Sequence, residues 1–115
     1  MIAAQFIFRP GTYDDDFYRL DDSIEKFVAS LPGFLGVDKW VSPDGRAQNV
    51  IYYFENEDTL KTLSRYPDHL AAKRNYRNWY DGYEIIVSEV LYSHGDKTIP
   101  SIPGKNRATD SEVGV

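Results

Sequence analysis

The sequence predicts an α+β domain of ferredoxin-like β-α-β-β-α-β order, a four-stranded antiparallel sheet with helices on one face. Three observations carry this. A stretch near the N-terminus places apolar residues at helical spacing, with Phe17, Leu20, Ile24, Phe27, Val28 and Leu31 in register. Four short runs alternate with period two. A Ser42-Pro43-Asp44-Gly45 turn joins the middle two of those runs.

The first run, residues 2–9, reads IAAQFIFR, with Ile2, Ala4, Phe6 and Phe8 on one face and Ala3, Gln5, Ile7 and Arg9 on the other. Both faces are mostly apolar, which predicts a strand covered on both sides and stopped by Pro10-Gly11. The first helix is expected from about Tyr13 to Leu31. Asp14, Asp15 and Asp16 sit in its first turn, where the helix dipole favours carboxylates, and Pro32-Gly33 ends it.

The second strand spans 34–42, with Phe34, Gly36, Asp38 and Trp40 sharing a face. The third spans 47–55 and returns as the other arm of a hairpin. Asn56-Glu57-Asp58 starts the second helix, and Pro67 breaks or restarts it, because proline lacks an N–H and suits a first turn. Its second half is expected from Pro67 to Tyr80, with His69, Ala72, Tyr76, Trp79 and Tyr80 on one face and Asp81-Gly82 as the stop. The fourth strand is read at 83–92. Residues 1–95 make the domain; residues 96–115 read as a polar tail, a flexible or partner-contacting arm.

With helices on one face, the other face of the sheet would stay wet, yet it carries apolar side chains. Contiguous apolar patches of that size are rare on monomers, so two sheets are expected to pack face to face in a homodimer. Residue parity alone leaves open which set faces inward.

Composition bounds the function. The 115 residues carry a net charge of -5, which disfavours phosphate backbones and argues against nucleic acid as a partner. There is no cysteine, so disulfides, thiol nucleophiles and thiolate metal sites are excluded. No apolar run reaches the ~18 residues of a membrane span, and the start lacks the basic region of a signal peptide. A cytoplasmic protein without a membrane partner is the expectation. Aromatics make up 15% of the chain, enough to line a pocket for a flat ligand as well as a core.

The two histidines, His69 and His94, have no metal-ligand spacing around them, so no metal site is expected. His69 follows Pro67 in a first helical turn. The N–H groups there disfavour imidazolium, and a neutral imidazole at pH 7 is a candidate base or an axial ligand to iron. A residue that merely caps the helix join accounts for the position equally well. Trp40, Tyr52, Tyr53, Trp79 and Tyr80 form an aromatic set for a small aromatic ligand or for packing. Asn49 shares a strand face with Tyr53. The acidic first helix and the basic second helix read as solvated faces.

The runs LPGFLGVDKW, SPDGR and IYYFENEDTLKTLSRYPDHLAAKRNYRNWYDGYEIIVSEV resemble the antibiotic biosynthesis monooxygenase (ABM) domain family of dimeric α/β barrel proteins. The similarity spans roughly residues 2–94. Pro32-Gly33-Phe34, Trp40, Pro67-Asp68-His69, Ala71-Ala72-Lys73, Trp79-Tyr80 and Ser88-Glu89-Val90 carry it. The resemblance implies a dimer with a pocket between each sheet and its helices. It also implies one of three activities. The first is cofactor-independent oxidation of an aromatic phenol or quinol by O2. The second is haem binding or degradation, and the third is non-catalytic binding of a small ligand. The haem-cleaving branch carries an Asn on the first strand and a Trp before the His on the second helix. Here the first strand offers Gln5, and His69 precedes Trp79. For oxidation the resemblance implies His69 as the base, with Trp40, Asn49, Tyr53, Arg74, Tyr76 and Trp79 around the substrate.

Overall fold

The structure, a computed structural model, describes residues 1–99. The elements run β1 (Ile2–Pro10), α1 (Asp15–Ser30), β2 (Phe34–Val41), β3 (Gln48–Phe54), α2 (Glu57–Ser64), α3 (Pro67–Arg74), a 3-10 turn (Tyr76–Asn78) and β4 (Tyr80–Glu89). The sheet order is β2-β3-β1-β4, antiparallel throughout. The fold class is as the sequence predicts. Of the expected tail, residues 96–99 have no helix or strand, and 100–115 lie outside the described residues.

Each start and stop has a local cause. Asp14 caps α1 rather than joining it; its carboxylate accepts from the Phe17 N–H at 2.9 Å. Ser42 and Asp44 close the hairpin: Ser42 N–H donates to the Ala47 carbonyl, and Asp44 accepts from the Ser42 hydroxyl and the Arg46 N–H. Asn56 caps α2 through the Thr59 N–H. Pro67 opens α3, whose first turn has no N–H to lose there.

Two expectations need correction. The helix from Pro67 to Tyr80 stops at Arg74. Asn75 ends it, donating its side-chain amide to the Ala71 carbonyl and its N–H to the Ala72 carbonyl. Tyr80, Asp81 and Gly82 then belong to β4, three residues ahead of the expected start. Gly82 permits this, since its φ of 151° is costly for other residues. The second correction concerns Phe34. A register shift between Phe34 and Gly36 sends Phe34 to the inner face, while Gly36, Asp38 and Trp40 point outward.

Strand register fixes the two faces. Ile2, Ala4, Phe6 and Phe8 look inward with Val50, Tyr52 and Phe54 of β3 and Tyr83, Ile85 and Val87 of β4. One inner cluster joins Ile2, Ala4 and Phe54 to Val28 of α1 and Leu63 of α2. A second joins Phe17 and Leu20 to Trp79, with Ala71, Ala72 and Tyr80 packed around them. The acidic and basic helices meet through hydroxyls rather than ion pairs. Ser23 bonds the Tyr66 hydroxyl at 2.7 Å and the Asp68 carboxylate at 2.5 Å.

Trp79 ties three segments. It is 3% exposed. Its indole N–H donates to the Asp14 carboxylate at 3.0 Å, and its carbonyl accepts from the Gly11 N–H at 2.7 Å. A side chain on Gly11 would meet that carbonyl at 2.8 Å. Asp14→Ala removes a cap and strands a buried indole, so it should cost about 3 kcal/mol in urea unfolding. Asp14→Asn keeps an acceptor and should cost under about 1 kcal/mol.

Candidate functional site

The sheet divides the residues singled out from sequence into two groups. His69, Arg74, Tyr76 and Trp79 lie on the helical side, in α3 and the segment that follows it. Trp40, Asn49 and Tyr53 point away from the helices: Trp40 pairs with Asn49, and Tyr53 with Ala3. One pocket built from all seven does not form within the chain, because a strand sends alternate side chains to opposite faces. Trp79 is packed in the core with its N–H committed to Asp14, so it builds the wall of the site rather than its surface. Arg74 is exposed in the last turn of α3, where the dipole favours a cation.

His69 is half-buried, and its Nδ1 is enclosed without a hydrogen-bond partner. Burial lowers its pKa, and Lys73 one turn along lowers it further; the nearby Ser64 carbonyl acts in the opposite sense. The imidazole is therefore neutral at pH 7, as a proton acceptor must be.

Between α1, α3 and β4 lies a cavity of about 30 Å³, lined by Phe17, Leu20, Asp21, Ile24, Ala72, Trp79 and Tyr80. That volume is on the scale of a water, not of a phenol ring. Tyr80 and Asp21 are its polar groups. Burial raises the Tyr80 phenol pKa, as do Tyr13 and Asp21. Burial pushes Tyr52 up to about 12, helped by Glu25 and Asp21. Asp21 is exposed as a whole residue, yet its carboxylate borders the cavity. Desolvation there raises its pKa, and Glu25 adds to the rise while Lys39 opposes it.

Toward the sheet edge the inner face opens. Tyr83, Ile85 and Val87 look inward but stay 46%, 49% and 49% exposed, because the helices cover β1 to β3 and leave β4 bare. Aromatic rings border this shelf. Phe6 stacks on Phe8 at 4.7 Å, meets Tyr80 edge-on at 5.4 Å and Tyr83 at 6.0 Å, and Tyr76 meets Tyr83 edge-on at 4.8 Å. The arrangement offers an apolar floor, ring edges for a flat ligand and phenols on its rim.

Asp21 and Tyr83 were not singled out as site residues, whereas Tyr80 belonged to the aromatic set. A signal for Asp21 existed: it follows Phe17 by four residues and precedes Ile24 by three, inside the apolar stripe of α1.

No family model matches the chain. The uncharacterized protein YqjZ of Bacillus subtilis (strain 168) is 36% identical over 64 residues, covering 55% of this chain and 55% of that protein. The chain thus matches about half the length of this relative. Rv0793 from Mycobacterium tuberculosis superposes with a TM-score of 0.64 at 16% identity, covering 82% of this chain and 98% of that one. SnoaB from Streptomyces nogalater, described as a cofactor-independent oxygenase, gives 0.62 at 15%, covering 80% and 94%. A protein provisionally assigned as an antibiotic biosynthesis monooxygenase, from Nitrosomonas europaea, gives 0.61 at 14%, covering 80% and 100%. The chain has an ABM-like fold. Among the described residues no helix is long and apolar enough to cross a membrane.

His69 also predicts a pH dependence. An unfolded histidine titrates near ~6.5, and the folded chain holds this one lower. Protons therefore favour the unfolded state below that value. Stability from this site is complete above about pH 6.5 and declines as pH falls toward the folded pKa, at no more than about 1.4 kcal/mol per unit. His69→Gln should remove that slope in urea titrations between about pH 6.5 and 5.

Proposed function

We propose that this chain is a cofactor-independent monooxygenase that binds a small aromatic phenol or quinol on the inner face of its sheet and oxidises it with O2. The observation that carries this reading is a neutral, half-buried imidazole with an unpartnered nitrogen, on the same side of the sheet as an aromatic shelf. The likeness to SnoaB supports the choice of chemistry.

In this reading His69 accepts the phenolic proton once substrate entry uncovers its enclosed Nδ1, and the resulting phenolate is electron-rich enough to pass an electron to O2. For a hydroxyanthrone the balance closes without a further reductant. One oxygen atom becomes the ring ketone, and the other leaves as water with the two hydrogens of the oxidised carbon. Burial of the imidazole keeps it deprotonated, and Ile85 and Val87 give the ring an apolar floor. Tyr76 keeps its expected role, and Phe6 and Tyr83 take the place of Trp40, Asn49 and Tyr53 as the groups that hold the substrate. Arg74 sits outside this arrangement.

Oxygen uptake across a panel of hydroxyanthrones and quinols tests the reading, with haemin titration as a second arm. Uptake with at least one panel member is expected, with 18O from labelled O2 in the product. His69→Gln should lower kcat about 100-fold with KM little changed, the usual loss for a general base. Tyr83→Ala should raise KM about tenfold, through loss of one ring contact. No uptake on any member overturns the proposal. A Soret band lost in His69→Ala would favour haem binding, and a bound aromatic recovered unchanged would favour a non-catalytic carrier.

A further inference from the structure

The small cavity between α1, α3 and β4 takes no part in the oxidation proposed above. Three rings, Phe17, Trp79 and Tyr80, and one carboxylate, Asp21, stand in its wall among aliphatic side chains. Phe17 meets Trp79 at 5.5 Å and Tyr80 at 6.0 Å, with interplanar angles of 71° and 80°, so the rings stand edge to face rather than stacked shut. Asp21 is exposed as a residue, which puts its carboxylate at the mouth.

Volume sets the size of an occupant. The cavity holds about 30 Å³. One water-sized atom needs about 10–15 Å³, so two non-hydrogen atoms fit, and a phenol ring or a guanidinium does not.

The polar groups set its sign. The Trp79 indole N–H is committed to Asp14 at 3.0 Å, so it is not offered to an anion. Asp21 brings a negative charge, and Glu25 and Asp22 on the same helix deepen the negative potential around it. Lys39 opposes them, but its ammonium is drawn to Glu25 at 3.7 Å. Burial holds the Tyr80 phenol un-ionised, with an oxygen able to accept. A water would find two polar side chains here, where a buried water usually makes about three hydrogen bonds. An ammonium group gains from the apolar walls as well, because aromatic faces attract a cation.

We propose that this cavity binds the ammonium end of an aliphatic amine. Asp21 pairs with the charge, the Tyr80 hydroxyl accepts one N–H, and the rings of Phe17 and Trp79 border the first carbon. The rest of a longer amine leaves through the mouth beside Asp21.

Titration of the full chain with methylammonium chloride at constant ionic strength tests this, followed through the indole N–H signals of Trp79 and Trp40 in nuclear magnetic resonance spectra. A two-atom ligand gains little, so the Trp79 signal should shift and saturate with a midpoint of roughly 10 mM. Trp40, exposed on the other face of the sheet, should not follow. Methanol has the same size without the charge and should bind at least about tenfold more weakly, as should methylammonium to Asp21→Asn. Asp22→Asn removes a carboxylate paired with Lys26 at 2.8 Å and should stay within about twofold of wild type. Ala72→Val narrows the cavity with Asp21 intact and should also lose binding. Asp21 is exposed, so its variant keeps the fold, and the dispersion of the same spectra verifies this. The proposal is overturned by no saturating shift in the wild type, by equal binding of methanol, or by an unchanged dissociation constant in Asp21→Asn or Ala72→Val.

Discussion

The anchoring of Trp79 between Asp14 and Gly11 is the constraint on which the rest of the inner face depends. One carboxylate caps α1 and holds the indole, and one main-chain bond ties the end of β1 to the start of β4. The helix after Pro67 ends at Asn75, and the carbonyl of residue 79 is left free for the Gly11 N–H. Tyr80 is thereby turned inward against Phe8, with ring centres 5.0 Å apart, and becomes the polar wall of the cavity. The close approach of Gly11 leaves no room for a side chain at that point. Local chain geometry, more than packing volume, therefore decides where the aromatic shelf begins.

The sheet separates two kinds of chemistry. Its inner face carries a phenol and a desolvated carboxylate in the wall of a small cavity, with a half-buried imidazole elsewhere on the same side. Its outer face gathers amides and one buried carboxylate within an apolar border. Polar groups buried on both sides require partners on both sides. Inside, hydroxyls and caps supply most of them. Outside, the chain alone leaves the account open.

Much of the fold was legible in the sequence. The stripe from Phe17 to Leu31 fixed α1, the Ser-Pro-Asp-Gly turn fixed the hairpin, and Pro67 marked the break between α2 and α3. The start of β4 was less legible, since Asp81-Gly82 reads as a helix stop and only the pairing with β1 makes it strand. The site was half legible. His69 could be picked out by its first-turn position, but strand parity could not say on which side Trp40, Asn49 and Tyr53 would fall until a helix contact fixed the sense of the sheet. Asp21 was taken for part of a solvated acidic face, although its spacing sets it in the apolar stripe. Asp38 had no signal in spacing at all; its burial follows from the bulge near Leu35 and the large neighbours Trp40 and Tyr53.

The bare edge of β4 has a consequence for how the protein behaves in a crowd. This strand is ten residues long, and no strand pairs with its far side among the described residues. Such an edge offers free main-chain donors and acceptors to any extended segment that drifts against it. Asp81, Glu84 and Glu89 place negative charge along it, so two edges of the same kind repel. Colloidal behaviour is thus linked to ionic strength. As added salt screens these charges, the repulsion fades and edge-to-edge growth into fibrils loses its main obstacle.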